Sequence, residues 1–222
     1  MAQPNGYLLM GPAAVRFTGR AEGDLGEHVP GVEARRRAVV DRPWSWLRQV
    51  HRAGVRVVER PGACAGDDGD AMVTAVAGAA LSIKVADCAP VALLSPEGVI
   101  GAAHAGWPGL VAGVIPAAVD VMRRLGATEV AAALGPCIHP GCYEFGAADL
   151  DRVAAVLGDG VRSTTAWGTP ALDVPGAVRV ALARAGASLV HDEDVCTACS
   201  ADHWSHRAGQ DPQRQAMVVW LP

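Results

Sequence analysis

The sequence predicts an α+β fold, a single domain over residues 1–222 with a mixed β-sheet flanked by helices. Strand-like runs follow one another in the first half of the chain, whereas helical patterns occur singly and mostly later. Half of the residues are apolar and only 19% are charged, so the chain can bury a substantial core.

The strand predictions rest on short apolar and β-branched runs bounded by turn-forming residues. The first ~45 residues lack such a pattern and are predicted to be irregular, with an arginine cluster at 35–37. The predicted strands are Val55–Glu59, Ala71–Val76, Leu81–Val85, Val91–Leu94, Val99–His104, Glu129–Leu134 and Met217–Leu221.

Three helices are predicted from apolar residues at helical spacing. The first runs from Leu110 to Leu125, where Gly126 is a natural C-terminal stop. Pro116 is expected in its first turn or at a kink. Two further helices, Ala147–Leu157 and Gly176–Ala185, are each followed by glycine.

Composition and charge exclude several classes of function. The net charge is −4 without a basic block, so neither nucleic acid nor an anionic membrane is an expected partner. No segment approaches ~20 uncharged apolar residues, and the N-terminus lacks the pattern of a signal peptide. We therefore expect a cytoplasmic protein whose six cysteines are thiols or metal ligands. The chain contains neither Gly-x-Gly-x-x-Gly nor a phosphate-binding P-loop.

Three short stretches each carry a metal-ligating side chain beside a strand. RQVH contains His51, ADCAP contains Cys88 and AAHAGW contains His104. Two imidazoles and one thiolate suit zinc and leave a fourth position open for water or substrate. Two alternatives use the same residues: three unrelated buried side chains, or metal-free chemistry with Cys88 as nucleophile and His104 as base.

Other cysteines and histidines offer a second set of ligands. The cysteines fall in two pairs, and such pairs can form a structural zinc site or simply be buried thiols. The pairs are Cys137 with Cys142 and Cys196 with Cys199. His203 and His206 would share the face of a helix, although SADHWSHRAGQ is rich in turn formers.

Taken together, the motifs resemble the YfiH-like family, long labelled "multicopper polyphenol oxidase" or "laccase domain". The motifs, in chain order, are RQVH, DGDAMVT, ADCAPVALL, AAHAGWPG, ALGPCIHPGCYEF, the CT of CTAC and SHRAGQDPQRQ. The resemblance spans roughly residues 45–221. It implies an α+β fold with a mixed sheet and a zinc site at His51, Cys88 and His104, with copper as a substitute metal.

The resemblance also implies enzymatic activity on small molecules. The expected reaction is phosphorolysis of adenosine, inosine, guanosine or methylthioadenosine, accompanied by adenosine deamination. The alternative is a peptidoglycan editing amidohydrolase that removes misincorporated serine from a UDP-MurNAc precursor. A non-catalytic zinc-stabilised module is disfavoured, because structural zinc sites are normally closed by four protein ligands. A true laccase is excluded, because seven histidines without a His-x-His pair cannot form a trinuclear copper cluster.

The expected substrate-binding residues are Arg207 for phosphate, Gln49 for a hydrogen bond and Asp87 for orienting a ligand. Asp87 capping a turn and Gln49 merely preceding a strand are equally good interpretations. The chain departs from the family's pattern around this site. The departures are Pro108 in place of an arginine, Ala34 before Arg35, and His206 and Ala208 flanking Arg207.

Overall fold

Two six-stranded mixed sheets stack face to face, and helices cover the outer face of each. The structure is a computed structural model and describes residues 7–222. The strands are β1 Leu8–Met10, β2 Ala13–Phe17, β3 Trp44–Arg48, β4 Val55–Val57, β5 Asp67–Asp68, β6 Ala71–Thr74, β7 Ala80–Val85, β8 Ala89–Leu94, β9 Ile100–Ala105, β10 Ala131–Leu134, β11 Arg162–Thr164, β12 Pro170–Leu172, β13 Ser188–Asp192 and β14 Gln215–Trp220. The helices are α1 Val32–Val39, α2 Trp107–Ala112, α3 Val114–Arg124, α4 Ala147–Leu157, α5 Val174–Arg184 and the single turn α6 His206–Gly209.

Each sheet combines parallel and antiparallel pairs. Sheet I has the order β1-β2-β14-β7-β3-β5, and only its β7-β3 and β3-β5 pairs are parallel. Sheet II has the order β13-β10-β8-β9-β6-β4, with parallel pairs at its two edges. Strands β11 and β12 form a separate antiparallel pair. The chain crosses from sheet I to sheet II in the short turn between β7 and β8.

Alternating side chains on the buried strands separate the core into three layers. On β9, Ile100 and Ala102 face sheet I, whereas Ala103 and Ala105 face helices α2 to α5. On β14, Met217 and Val219 face sheet II, and the intervening residues pack beneath α1. Strands covered on both faces need apolar residues on both, which explains their nearly continuous apolar sequences.

The α+β fold class predicted from the sequence is confirmed, as are its mixed strand pairing and flanking helices. The prediction that the first ~45 residues are irregular is wrong for the described residues, because β1, β2 and α1 form there. The predicted helix from Leu110 to Leu125 is interrupted at Gly113, whose φ of +85° ends α2 and begins α3. Pro116 lies in the first turn of α3, as predicted.

Within residues 7–222, no helix has both the length and the apolar character needed to cross a membrane.

Candidate metal-binding active site

His51, Cys88 and His104 converge where the two sheets meet, and we call them the donor trio. His51 follows β3 of sheet I, Cys88 lies in the turn between β7 and β8, and His104 is on β9 of sheet II. Their ligand atoms all lie within 4.8 Å of one another. Cys88 Sγ is 3.8 Å from His51 Nε2, and the two imidazole rings meet edge to face at 4.7 Å between centroids.

The alternation of β9 directs His104 towards the space between the sheets. Ile100, Ala102 and His104 occupy the same face of the strand, and His104 is only 3% exposed. His51 is exposed and Cys88 is half-buried. The trio therefore extends from the core, at His104, to the solvent, at His51. A cation can therefore reach the donors without disturbing the core.

Asp70, which is fully buried just before β6, connects two of the three donors. Its Oδ1 lies 2.9 Å from Nδ1 of His104, so the ring donates that hydrogen and leaves Nε2 for a metal. The same carboxylate accepts the backbone N–H groups of Val50, His51 and Arg52 at 3.3, 2.9 and 2.7 Å. Burial raises the pKa of Asp70, but these hydrogen bonds outweigh it and lower the pKa overall.

These bonds also explain the unusual backbone of His51. Its φ is +57°, a left-handed conformation that is uncommon for residues other than glycine. The three consecutive N–H groups that bond Asp70 enclose this residue and compensate for the conformational cost. The left-handed backbone conformation of His51 thus directs its ring towards the other two donors.

Asp87 secures the turn that carries Cys88. Its carboxylate accepts the hydroxyl hydrogen of Thr197 and the backbone N–H of Arg207, both at 2.7 Å. Its own φ is +92°, which an aspartate in a turn tolerates better than most residues. Asp87 therefore positions the turn, which matches the turn-capping interpretation rather than direct contact with a ligand.

Gly106 leaves room for the donors immediately after β9. A Cβ at this position would lie 2.8 Å from Cδ2 of His51 and 3.1 Å from Sγ of Cys88. Both distances are shorter than ordinary contacts between nonbonded atoms. The glycine of the AAHAGW stretch is therefore required by the close approach of the ligands.

Cys88 and His104 stabilise each other's charged forms. Burial raises the pKa of Cys88, but the neighbouring His104 and His51 lower it to about 6. Burial lowers the pKa of His104, but the Cys88 thiolate and the Asp70 carboxylate raise it to about 9. The trio thus already contains the thiolate that a metal requires, and a bound cation would replace the proton on His104.

The geometry of the donor trio fits a tetrahedral metal site. With zinc–sulfur and zinc–nitrogen bonds of about 2.3 and 2.05 Å, tetrahedral ligands are separated by about 3.6 Å. The 3.8 Å between Cys88 Sγ and His51 Nε2 is close to that value. The His104–Asp70 pair adds the carboxylate partner that metal-binding histidines commonly have.

A cavity of about 870 Å³, here called the main cavity, opens above the donor trio. This volume lies within the range of about 300–1,000 Å³ typical of small-molecule sites. Besides the trio, it is lined by Asp24, Gly26, Glu27, His28, Val29, Arg48, Gln49, Lys84, Val85, Ala86, His206, Pro212 and Arg214. Its wall is therefore rich in cationic and imidazole groups.

The cationic side chains in the main cavity differ in the ion pairs and hydrogen bonds that they form within the protein. Lys84, the only lysine of the chain, pairs with Glu27 and lies 4.5 Å from the Trp46 ring centroid. Arg48 pairs with Asp68 at the exposed rim. Arg214 uses Nη1 for the backbone carbonyls that precede it, and its Nε and Nη2 make no hydrogen bond within residues 7–222. Arg214 is therefore the arginine of this lining whose guanidinium pairs with no carboxylate within residues 7–222, so its charge is available to an anion.

Arg207, the residue predicted to bind phosphate, does not line the main cavity. Its guanidinium donates to the carbonyl of Glu144 at 2.7 Å and lies 4.6 Å from the centroid of the Tyr143 ring. Arg207 lines a different cavity of about 550 Å³, here called the side cavity. The residues lining it are Cys142, Glu144, Gly146, Trp167, Ala198, Arg207 and Ala208.

Gln49 lines the main cavity, but both ends of its side-chain amide form hydrogen bonds with backbone groups. Its Nε2 donates to the Lys84 carbonyl at 2.8 Å, and the Lys84 N–H donates to its Oε1 at 2.9 Å. The side chain thus extends the pairing between β3 and β7. The structure gives Gln49 a role in holding the cavity wall.

The second set of candidate ligands is only partly brought together. Cys142, Cys196 and Cys199 have their sulfurs within 4.8 Å of one another. Cys137 is 1% exposed and packs in the core, so it does not belong to this group. His203 precedes the single helical turn α6 that begins at His206, so the two do not share a helix face.

Sequence reasoning missed the residues that organise the site. Asp70 belongs to the motif DGDAMVT, yet its role depends on contacts with a loop 18–20 residues away and a strand residue 34 away. A single acidic residue next to a buried apolar strand was the available signal. Arg214 gave no signal of its own, because arginines are frequent in this chain.

Comparison with known proteins yields a consistent set of relatives. The family model described as "Multi-copper polyphenol oxidoreductase laccase" matches residues 17–222. A "Purine nucleoside phosphorylase" of Streptomyces coelicolor is 48% identical over 186 residues, covering 79% of this chain and 74% of that protein. A protein of the same description from Streptomyces griseus is 46% identical over 181 residues, covering 79% and 73%.

The fold also matches solved structures. The hypothetical protein YfiH of Bacillus licheniformis superposes with a TM-score of 0.85 at 23% identity, covering 98% of this chain and all of that one. At this identity the likeness concerns the fold alone. It supports the two-sheet arrangement that carries the donor trio.

Proposed function

This chain belongs to the multi-copper polyphenol oxidoreductase laccase family, as its motifs predict, and we propose that it is a zinc-dependent purine nucleoside phosphorylase. The proposal extends to deamination of adenosine at the same site. Adenosine, inosine, guanosine and methylthioadenosine are the proposed substrates. Laccase chemistry is not proposed, because the chain lacks the paired histidines that a trinuclear copper cluster requires.

The observation that carries the proposal is an open three-donor site at the base of a cavity of about 870 Å³. A structural zinc site would be closed by a fourth protein ligand, whereas this trio leaves a position free towards the cavity. The names of relatives at 48% and 46% identity point to purine nucleosides as the class of substrate. Zinc is preferred to copper because three protein ligands with an open position are typical of catalytic zinc, whereas the described lining of the cavity contains no methionine to act as the weak axial ligand of a blue-copper site with two histidines and one cysteine.

Bound zinc would supply Lewis acidity and lower the pKa of a coordinated water towards ~7. The protein's contribution is to hold the three donors in place. Asp70 accepts the Nδ1 hydrogen of His104, so that Nε2 is the nitrogen that would bind a metal, and it fixes the backbone that carries His51. Asp87 fixes the turn of Cys88, and Gly106 provides the space in which the donors meet.

Phosphorolysis also needs a cation that holds phosphate next to the nucleoside. Phosphate attacks C1′ of the ribose, the glycosidic bond breaks, and the purine leaves with the bonding electrons and a proton. We assign the phosphate to Arg214, whose Nε and Nη2 lack hydrogen-bond partners within residues 7–222. Arg48, at the rim of the same cavity, is the second cation within reach of an entering anion.

The direct test incubates zinc-loaded protein with adenosine in the presence and absence of phosphate. We expect adenine and ribose 1-phosphate when phosphate is present, and inosine and ammonia from the competing attack of water at C6. A parallel incubation with a serine-containing UDP-MurNAc precursor tests the amidohydrolase alternative. Release of serine without any cleavage of adenosine would overturn the nucleoside proposal.

A further inference from the structure

Three cysteines outside the donor trio lie together beside the side cavity. Cys142 ends a 3-10 turn, Pro140–Cys142, whereas Cys196 and Cys199 lie on the turn that follows β13. An isolated backbone bridge between Cys137 and Cys196 pairs the chain just before the first turn with the start of the second. We call Cys142, Cys196 and Cys199 the thiol trio.

The sulfur atoms of the thiol trio are close enough to share one ion. All three lie within 4.8 Å of one another, and Cys142 Sγ is 3.0 Å from Cys199 Sγ. Cys196 Sγ also accepts the backbone N–H of His139 at 3.4 Å, which orients its lone pairs. Cys142 and Cys196 are half-buried and Cys199 is exposed, so a cation can reach all three.

The number of converging thiols decides between a metal and a disulfide. Two sulfurs on one tetrahedral zinc are about 3.8 Å apart, so Cys142 and Cys199 would separate by less than about 1 Å. A disulfide would instead bring them about 1 Å closer, to roughly 2.05 Å, and would leave the third thiol without a function. Convergence of three thiols on exposed turns therefore favours metal binding.

We propose that the thiol trio binds a thiophilic d10 cation, with zinc as its principal occupant, at a second site separate from the donor trio. Three thiolates fill three positions, and water completes a tetrahedral coordination. The site would tie the 140–142 turn to the 196–199 turn. The latter contains Thr197, which donates its hydroxyl hydrogen to Asp87 beside Cys88, so one hydrogen bond connects the two sites.

Zinc stoichiometry tests this proposal. Reduced, chelator-treated protein is supplied with zinc, freed of excess by gel filtration and analysed for metal. We expect about two zinc ions per chain for the wild type and about one for Cys199→Ser. Cys64→Ser is the matched control, because this half-buried thiol belongs to neither trio, and it should keep about two. Equal zinc content in Cys199→Ser and the wild type would overturn the proposal.

A measurement on the wild type alone avoids any effect of substitution on folding. The folded protein is alkylated with iodoacetamide with and without zinc, and modified cysteines are identified by mass spectrometry. Zinc should protect Cys142, Cys196 and Cys199 and leave the labelling of Cys64 unchanged. Unprotected labelling of the thiol trio would contradict the proposal, as would a Cys142–Cys199 disulfide in protein prepared with reductant.

Discussion

At the residue scale, the site depends on a few side chains outside the donor trio that hold its three members in place. Asp70 is the most important of them, because its one buried carboxylate forms hydrogen bonds with both the ring of His104 and the backbone around His51. A substitution that removes the charge of Asp70 keeps all three metal ligands but weakens the hydrogen bonds that hold His51 and His104 in position. The consequences should therefore appear in metal affinity before they appear in folding.

We expect Asp70→Asn to raise the zinc concentration for half-maximal adenosine cleavage by about 10- to 100-fold. The amide cannot compensate the charge of a protonated His104, and it turns one acceptor towards the loop into a donor. Asp149→Asn is the matched control, since Asp149 forms only a surface pair with Arg152. Identical zinc dependence in Asp70→Asn and wild-type protein would show that Asp70 does not position the ligands.

Gly106→Ala should weaken zinc activation by about ten-fold or more, equivalent to about 1.4 kcal/mol. The added methyl group would overlap the His51 ring and approach Cys88 Sγ. Because His51 is exposed and can move away, the free energy of unfolding should change little. Gly160→Ala, where a Cβ meets no atom within 4 Å, serves as control for zinc titration and thermal unfolding. Unchanged zinc activation in Gly106→Ala would contradict the packing argument.

Arg214→Gln should lower phosphate-dependent cleavage of adenosine at least ten-fold, about 1.4 kcal/mol, and reduce deamination much less. Only the phosphorolytic reaction needs a charged hydrogen bond to phosphate. Arg207→Ala is the informative comparison, because this arginine lines the side cavity. Rates of both reactions would be measured for both variants. A selective loss in Arg207→Ala, with Arg214→Gln unaffected, would return the phosphate role to Arg207.

At the element scale, the predictions of strands β7, β8 and β9 and of helix α4 are confirmed to within two residues at their ends, whereas strand β3 before His51, helix α1 and strand β13 are not predicted. The predicted Leu81–Val85 and Val99–His104 differ by one residue at their ends from the observed β7 and β9. Both are mostly apolar and are buried on two faces. Helix α1 was missed because half of its eight residues are charged and the sequence shows no wide apolar stripe. The edge strand β13 was missed because Val190 is exposed among polar neighbours.

The turn between β7 and β8 is the element on which Cys88 depends, and Asp87 holds it. We expect Asp87→Ala to lower the free energy of unfolding by about 2 kcal/mol or more, measured by urea denaturation. The substitution leaves the buried Thr197 hydroxyl and the Arg207 N–H without their acceptor. Asp87→Asn keeps an acceptor oxygen and tolerates a positive φ, so its loss should be smaller. Equal stability of Asp87→Ala and wild type would contradict this role.

At the scale of the whole molecule, the donor trio connects the two sheets. His51 follows a strand of sheet I, His104 lies on sheet II, and Cys88 sits where the chain crosses between them. The sequence motifs identified the three donors, because each stands at the end of a strand in a recognisable context. The motifs did not identify which arginine faces the three donors. Assignment of Arg207 and Arg214 to separate cavities depends on how the segment after β13 folds over the sheets, which no local pattern encodes.

The central claim is that the donor trio is the catalytic metal centre of a nucleoside phosphorylase. Its most direct test is the rate of phosphate-dependent adenine release from adenosine by zinc-reconstituted wild-type and Cys88→Ala protein. Circular dichroism would verify that both are folded, as expected for an open site that contributes little to folding. We predict adenine release by the wild type and a loss of at least about 100-fold, or 2.7 kcal/mol, in Cys88→Ala. Equal rates in the two proteins, or no adenine release by zinc-loaded wild type, would contradict the claim.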